Sequence, residues 1–234
     1  MKTIGILGGM TYESTITYYQ VINDWISHAL GDHHSARCIL YSVDFQDIVN
    51  THRSGNWDEA GRILGKAGLS LKKAGADFLV LATNTMHIVA PQVEAISGLP
   101  ILHIADVTAD RLLANGITTV GLLGTKFTME KDFYKDILIR RGITPLIPEE
   151  KARNEIHRII DTELSFGDIR EESRKIYQDE IIRLKERGAQ GIILGCTEIG
   201  LLIQQEHSVL PVFDTALIHA EECARFALAD SIGK

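Results

Sequence analysis

The 234-residue chain predicts an α/β protein, on two observations: short apolar runs alternate with longer amphipathic stretches, and the second half of the chain echoes the first. The runs at residues 3–7, 37–42, 78–82, 101–104, 119–123, 191–194 and 209–213 have the pattern of parallel strands joined by helices. Residues 57–74 and 171–187 read as two of those helices. Gly75 and Gly188 close them in the left-handed cap position that glycine adopts most easily, and each leads straight into a strand.

Those two passages are parallel. Gly75-Ala76-Asp77-Phe78-Leu79-Val80-Leu81-Ala82-Thr83-Asn84-Thr85 aligns with Gly188-Ala189-Gln190-Gly191-Ile192-Ile193-Leu194-Gly195-Cys196-Thr197-Glu198, at a constant separation of 113 residues. Thr3-Ile4-Gly5-Ile6-Leu7-Gly8-Gly9 aligns with Thr119-Val120-Gly121-Leu122-Leu123-Gly124-Thr125 at 116, and Leu99-Pro100-Ile101 with Leu210-Pro211-Val212 at 111. Three parallels in one order, with nearly one offset, indicate a duplicated α/β lobe. The expected lobes are residues 1–105 plus 210–234, and residues 106–209. Each is a parallel sheet flanked by helices, and the C-terminus folds back on the first. Open parallel sheets bind ligands beyond the carboxyl ends of their strands. If those ends face each other, Thr83 and Cys196 oppose one another across an interlobe cleft, where the active site is expected.

Composition narrows the function. Apolar residues make up 45% and charged residues 24%, enough to bury a core, and the formal charge of −7 without a Lys/Arg block argues against nucleic-acid or anionic-membrane partners. The N-terminal apolar run is too short for a signal peptide and no stretch approaches a membrane span, so a cytoplasmic location is expected. Cys38, Cys196 and Cys223 are too few and too widely spaced for a disulfide framework or a structural zinc site, and are read as free thiols. His33-His34 lacks the helical spacing that aims two imidazoles at one metal ion. The glycines at 5, 8 and 9 miss the dinucleotide-binding spacing, no phosphate-binding glycine-lysine turn occurs, and no lysine marks a pyridoxal phosphate site. Neither cofactor nor metal is expected; the partner is a small molecule.

Opposed acid/base groups suit racemisation, in which a Cα proton leaves one face of a planar intermediate and another arrives at the opposite face. A thiol is a suitable group because its ordinary pKa lies near 8.5 and local cations or helix N-termini lower it, an effect expected for Cys196. Backbone N–H groups in the turns at Gly8-Gly9 and Gly124-Thr125 are candidates for stabilising charge on the substrate carboxylate.

Gly8-Gly9-Met10 with Ser14-Thr15, Thr83-Asn84-Thr85-Met86-His87, and Gly195-Cys196-Thr197-Glu198 together resemble the aspartate/glutamate racemase family through nearly the whole chain. The resemblance implies two α/β lobes, no pyridoxal phosphate, no metal, a homodimer, and a two-base mechanism with Cys196 as one base. By the same resemblance Asn84, Thr85 and Thr197 bind the substrate α-carboxylate and amino group, and Met10, Thr125 and Glu198 join the substrate-binding set. One departure stands out: the family pattern has cysteine where this chain has Thr83. A threonine hydroxyl is far harder to ionise than a thiol, so Thr83 is expected to be the weaker partner. A second departure lies in side-chain recognition. No cation directly follows the strand in Ser42-Val43-Asp44-Phe45, and His52-Arg53, in a following loop, are the candidates for holding a distal carboxylate.

Blander roles compete at several positions. Cys38 and Cys223 are expected to be packing residues, His87 a satisfied helix-capping histidine, and Glu198 either a ligand to the substrate ammonium or a partner for neighbouring groups. The function expected is cofactor-independent racemisation of an amino acid, aspartate or glutamate foremost, by proton transfer between Cys196 and Thr83. The alternatives are a noncatalytic amino-acid-binding protein, or a hydantoin racemase or maleate isomerase of the same superfamily.

Overall fold

The computed structural model describes residues 1–229. Residues 230–234, counted with the first lobe above, lie outside the described residues. The chain runs β1 (Ile4–Gly8), α1 (Tyr12–Leu30), β2 (Cys38–Ser42), α2 (Phe45–Ser54), α3 (Trp57–Lys73), β3 (Phe78–Leu81), a 3-10 turn (Thr85–Val89) and α4 (Ala90–Ser97). It continues through α5 (Ile104–Ala114), β4 (Thr119–Gly124), α6 (Lys126–Glu130), α7 (Asp132–Arg140), β5 (Thr144–Leu146), α8 (Glu150–Thr162) and α9 (Glu171–Glu186). Last come β6 (Gly191–Gly195), α10 (Ile199–Leu202), β7 (Val212–Asp214) and α11 (Thr215–Leu228).

Two compact units result among the described residues: Met1–His103 with residues 219–229, and Ile104–Ile218. The first unit holds a parallel sheet of order β2-β1-β3, the second a parallel sheet of order β5-β4-β6-β7. The α/β class and the two helix-flanked parallel sheets are as the sequence predicts. The boundary differs. Residues 210–218 were expected in the first lobe, but β7 pairs with β6 and so belongs to the second unit.

The repeat extends to individual hydrogen bonds. Ile4 pairs with Phe78 as Val120 pairs with Gly191, one register at separations of 116 and 113. The N–H of Asp77 reaches Thr3 O (2.9 Å) as that of Gln190 reaches Thr119 O (2.9 Å). Leu79 N–H meets Pro100 O (2.9 Å) as Ile192 N–H meets Pro211 O (2.8 Å). Gly75 and Gly188 have φ of 102° and 100°, a conformation that would strain any residue with a Cβ.

Helix starts are legible in their caps. Asp44 accepts the N–H of Gln46 (2.9 Å) to begin α2, and Gly55 ends it in the left-handed region. The α3 face carrying Ala60, Leu64, Ala67 and Leu71 repeats at helical spacing and is buried against Leu7, Leu79, Leu81 and Val93. Burying each leucine contributes about 1.5–3 kcal/mol. The counterpart α9 buries Tyr177, Ile181 and Leu184 against Leu123, Ile192 and Leu194.

Two expectations change locally. The strand expected at 101–104 shrinks to a single bridge between Leu79 and Ile101, because α5 already begins at Ile104. The short edge strand β5, which contains Pro145, was not foreseen. No helix of the described residues is long and apolar enough to cross a membrane.

Candidate active site

Cys196 directly follows β6 and is buried. Its Sγ donates to Glu198 Oε2 (2.9 Å), and Thr197 Oγ1 donates to the same oxygen (2.8 Å). Burial pushes the Cys196 thiol well above the ordinary range, and the carboxylates of Glu198 and Asp214 push it further the same way. This corrects the expectation of an acidified thiol: the surroundings of Cys196 are anionic, and the helix that follows has four residues. The resting residue is a protonated thiol.

Asp214 ends β7, is half-buried, and caps α11 by accepting the N–H groups of Ala216 (2.8 Å) and Leu217 (3.3 Å) through Oδ1. Burial lifts its carboxyl to about 6, with Glu198 adding to the rise. Sequence reasoning did not single out Asp214. The signal was present, since the parallel at 99–101 and 210–212, carried two residues further, sets His103 against Asp214. Thr125 is half-buried at the end of β4, where it caps α6 by accepting the N–H of Thr128 (3.3 Å).

In the first unit Thr83, Asn84 and Thr85 are buried in the turn after β3. His87 is fully buried, and its Nδ1 lies 2.8 Å from Thr83 O, the satisfied role expected of it. Met10 packs among Leu7, Ile48 and Met86. The N–H of Gly9, a candidate for stabilising substrate charge, is already donated to Thr15 Oγ1 (2.8 Å). Its chemistry is therefore turn-building.

His52 and Arg53 lie in the last turn of α2, not in a loop. His52 stacks on Trp57 at 5.4 Å, its Nε2 is 3.5 Å from Met86 Sδ, and burial lowers it to about 4. It is neutral at pH 7 and cannot supply the expected positive charge; Arg53 is exposed. Cys38 sits in β2 with its thiol raised to about 11 by burial, and Cys223 is fully buried in α11, as packing residues should be. Two surface grooves, of about 470 and 450 Å³, include neither Thr83 nor Cys196 among their lining residues. No group of three or more His, Cys, Asp or Glu side chains among the described residues is arranged to hold a metal ion.

The two helix-flanked parallel sheets have counterparts among known proteins. The sequence profile of the Asp/Glu/hydantoin racemases matches residues 7–223. The chain belongs to this family. A broad specificity amino-acid racemase, RacX, from Bacillus subtilis is 23% identical over 229 residues, covering 97% of this chain and 98% of the relative. Among solved structures of the family, a candidate Asp/Glu racemase from Yersinia pestis is 48% identical with a TM-score of 0.91, covering 97% of this chain and 100% of its own. An aspartate racemase homologue from Pyrococcus horikoshii is 35% identical with a TM-score of 0.83, covering 97% and 99%.

Proposed function

We propose that the protein racemises an amino acid without a cofactor, with aspartate and glutamate the leading substrates, Cys196 serving one face of Cα and Thr83 the other. The observation that carries this reading is the hydrogen bond from the Cys196 thiol to Glu198 at the end of β6. Arrival of a substrate ammonium offsets the anionic surroundings that keep Cys196 protonated. Glu198 then accepts the thiol proton, and the thiolate removes the Cα proton, leaving the electron pair delocalised into the substrate carboxylate. A proton from the Thr83 hydroxyl on the opposite face completes inversion; solvent reprotonates Thr83 as Glu198 releases the proton it took from the thiol, which restores the resting site. A proton returned by Cys196 gives exchange with retention.

Because enantiomers have equal free energy, kcat/KM is equal in the two directions, and only kcat and KM separately can differ. Thr83 is the weaker acid/base, so exchange at the Cys196 face outruns inversion. The buried Asn84 and Thr85, with Thr197, are assigned to the substrate carboxylate and ammonium. Arg53 is assigned to a distal carboxylate, and a homodimer is the expected assembly.

The test is incubation of a panel of L- and D-amino acids in D2O with the wild type and Cys196→Ala. Deuterium should enter Cα only with the wild type, and fastest with acidic substrates. No incorporation into any bound amino acid would mark a binding protein, and incorporation undiminished in Cys196→Ala would remove Cys196 from the chemistry. Arg53→Ala should weaken acidic substrates alone; equal weakening across the panel would deny Arg53 a part in selectivity.

A further inference from the structure

Positions 83, 85, 87 and 103 of the first unit correspond to 196, 198, 200 and 214 of the second, at the separations of 113 and 111 already seen in the strands. The carbonyl at each strand end is held in a different way. Cys196 O accepts the main-chain N–H of Ile199 (3.1 Å) within the turn itself. Thr83 O is met by the imidazole Nδ1 of His87 (2.8 Å), whose counterpart is Gly200, a residue with no side chain to offer.

A carbonyl oxygen only accepts, so the His87 proton resides on Nδ1. The ring is fixed from both sides, with His103 at 4.6 Å and His219 at 5.5 Å between centroids, each pair inclined at 65°. His219 is itself clamped: Nε2 donates to Leu102 O (2.7 Å) and Nδ1 accepts from the Tyr18 hydroxyl (2.7 Å). Tyr18, His87 and His219 are all fully buried. Burial and the two neighbouring imidazoles hold His87 well below the ordinary histidine range, which keeps it neutral and this tautomer intact.

We propose that His87 is a positioning residue for Thr83, its Nδ1–H holding the Thr83 carbonyl and thereby fixing the directions of the Thr83 hydroxyl and the Asn84 amide, a dependence that Cys196 does not share. This rests on the proposed function for the role of Thr83, but the tether itself is a property of the first unit alone.

The experiment compares wild type, His87→Leu, His87→Asn and His87→Gln in D2O, reading exchange with retention separately from inversion. An Asn side chain places an N–H near the position of Nδ1, whereas Gln places one nearer Nε2. His87→Leu and His87→Gln should slow inversion on the order of 10- to 100-fold relative to exchange, the scale expected for a misplaced group. His87→Asn should restore the wild-type ratio. Equal loss of both rates in Leu and Gln, or no rescue by Asn, overturns the proposal. If His87→Leu does not fold, the Asn/Gln pair decides it. If the wild type neither exchanges nor inverts any amino acid, the proposed function fails, and His87 is judged by 15N NMR. The Nδ1–H tautomer, with Thr83 and Asn84 amide shifts displaced in His87→Gln and restored in His87→Asn, then sustains the tether. The Nε2–H tautomer or undisturbed amides overturn it.

Discussion

The turn after β3 and the turn after β6 leave equivalent strands in the same register and finish in opposite chemistry. Thr83, Thr85, His87 and His103 stand where Cys196, Glu198, Gly200 and Asp214 stand in the other unit. One turn is backed by imidazoles kept neutral by burial, the other by carboxylates that keep a thiol protonated. Shared backbone hydrogen bonds therefore say little about reactivity. What differs is the burial and charge of side chains arriving from elsewhere in each unit.

The largest effect expected from breaking this contrast is on turnover. Cys196→Ala should lose both exchange and inversion by about 10³-fold, within the range for removal of an acid/base group, whereas Thr83→Ala should lose inversion and keep exchange. Separate rates from D2O incubations check this. Equal effects of the two substitutions would mean that the turns are functionally alike.

Acid comes next. His219 has its pKa lowered by burial from 6.5 to about 3, and His87 moves the same way. Between those limits the unfolded chain binds more protons than the folded one, so stability falls as pH drops below about 6.5. Each histidine contributes up to about 1.4 kcal/mol per pH unit until its folded pKa is reached. Amide exchange from pH 7 to 4 should therefore show β3 and the Thr83 turn losing protection before β6. A His219→Gln variant should be less stable at pH 7 but lose stability less steeply in acid. An unchanged acid slope would exclude these imidazoles as the sensitive element.

A smaller effect sharpens the carboxylate side. Glu198→Gln removes the negative charge that helps to raise the Cys196 thiol, so alkylation by iodoacetamide should acquire its thiolate dependence at lower pH. Asp214→Asn should act in the same direction and less, since its contribution is the smallest of those acting on Cys196. If neither variant moves the alkylation profile, burial alone governs the thiol. The smallest change expected is that of Gly200→Ala. A Cβ there would press on the Asp214 carboxylate, costing on the order of 1 kcal/mol in stability and leaving the first unit's acid response untouched. Unfolding curves of wild type and variant at pH 7 and pH 5 measure both.

The sheets were legible because strand runs, helix caps and closing glycines are local signals, and the repeat confirmed each copy by the other. Where local signals conflict, the sequence misleads. Pro145 disguised β5, and the onset of α5 at Ile104 cut short the strand expected before it. The capping aspartate at 44 and the glycine at 55 frame α2, yet its polar composition reads as a loop. The candidate residues beside strand ends were picked out by the repeat. The state of those residues was not, because the protonation of Cys196 depends first on burial in the folded unit and then on Glu198, with Asp214, eighteen positions away, adding least, and the neutrality of His52 on burial against Trp57 and Met86.

Gly121 shows what a doubled framework permits. It faces Ile192 in β6 as Gly5 faces Leu79 in β3, and a methyl group at either would stand 2.7–2.9 Å from that neighbour. Such positions set the spacing between packed strands and place no demand on what hangs beyond the last rung. A framework repeated on those terms carries threonine at one terminus and cysteine at the other with no change in the way either sheet is built.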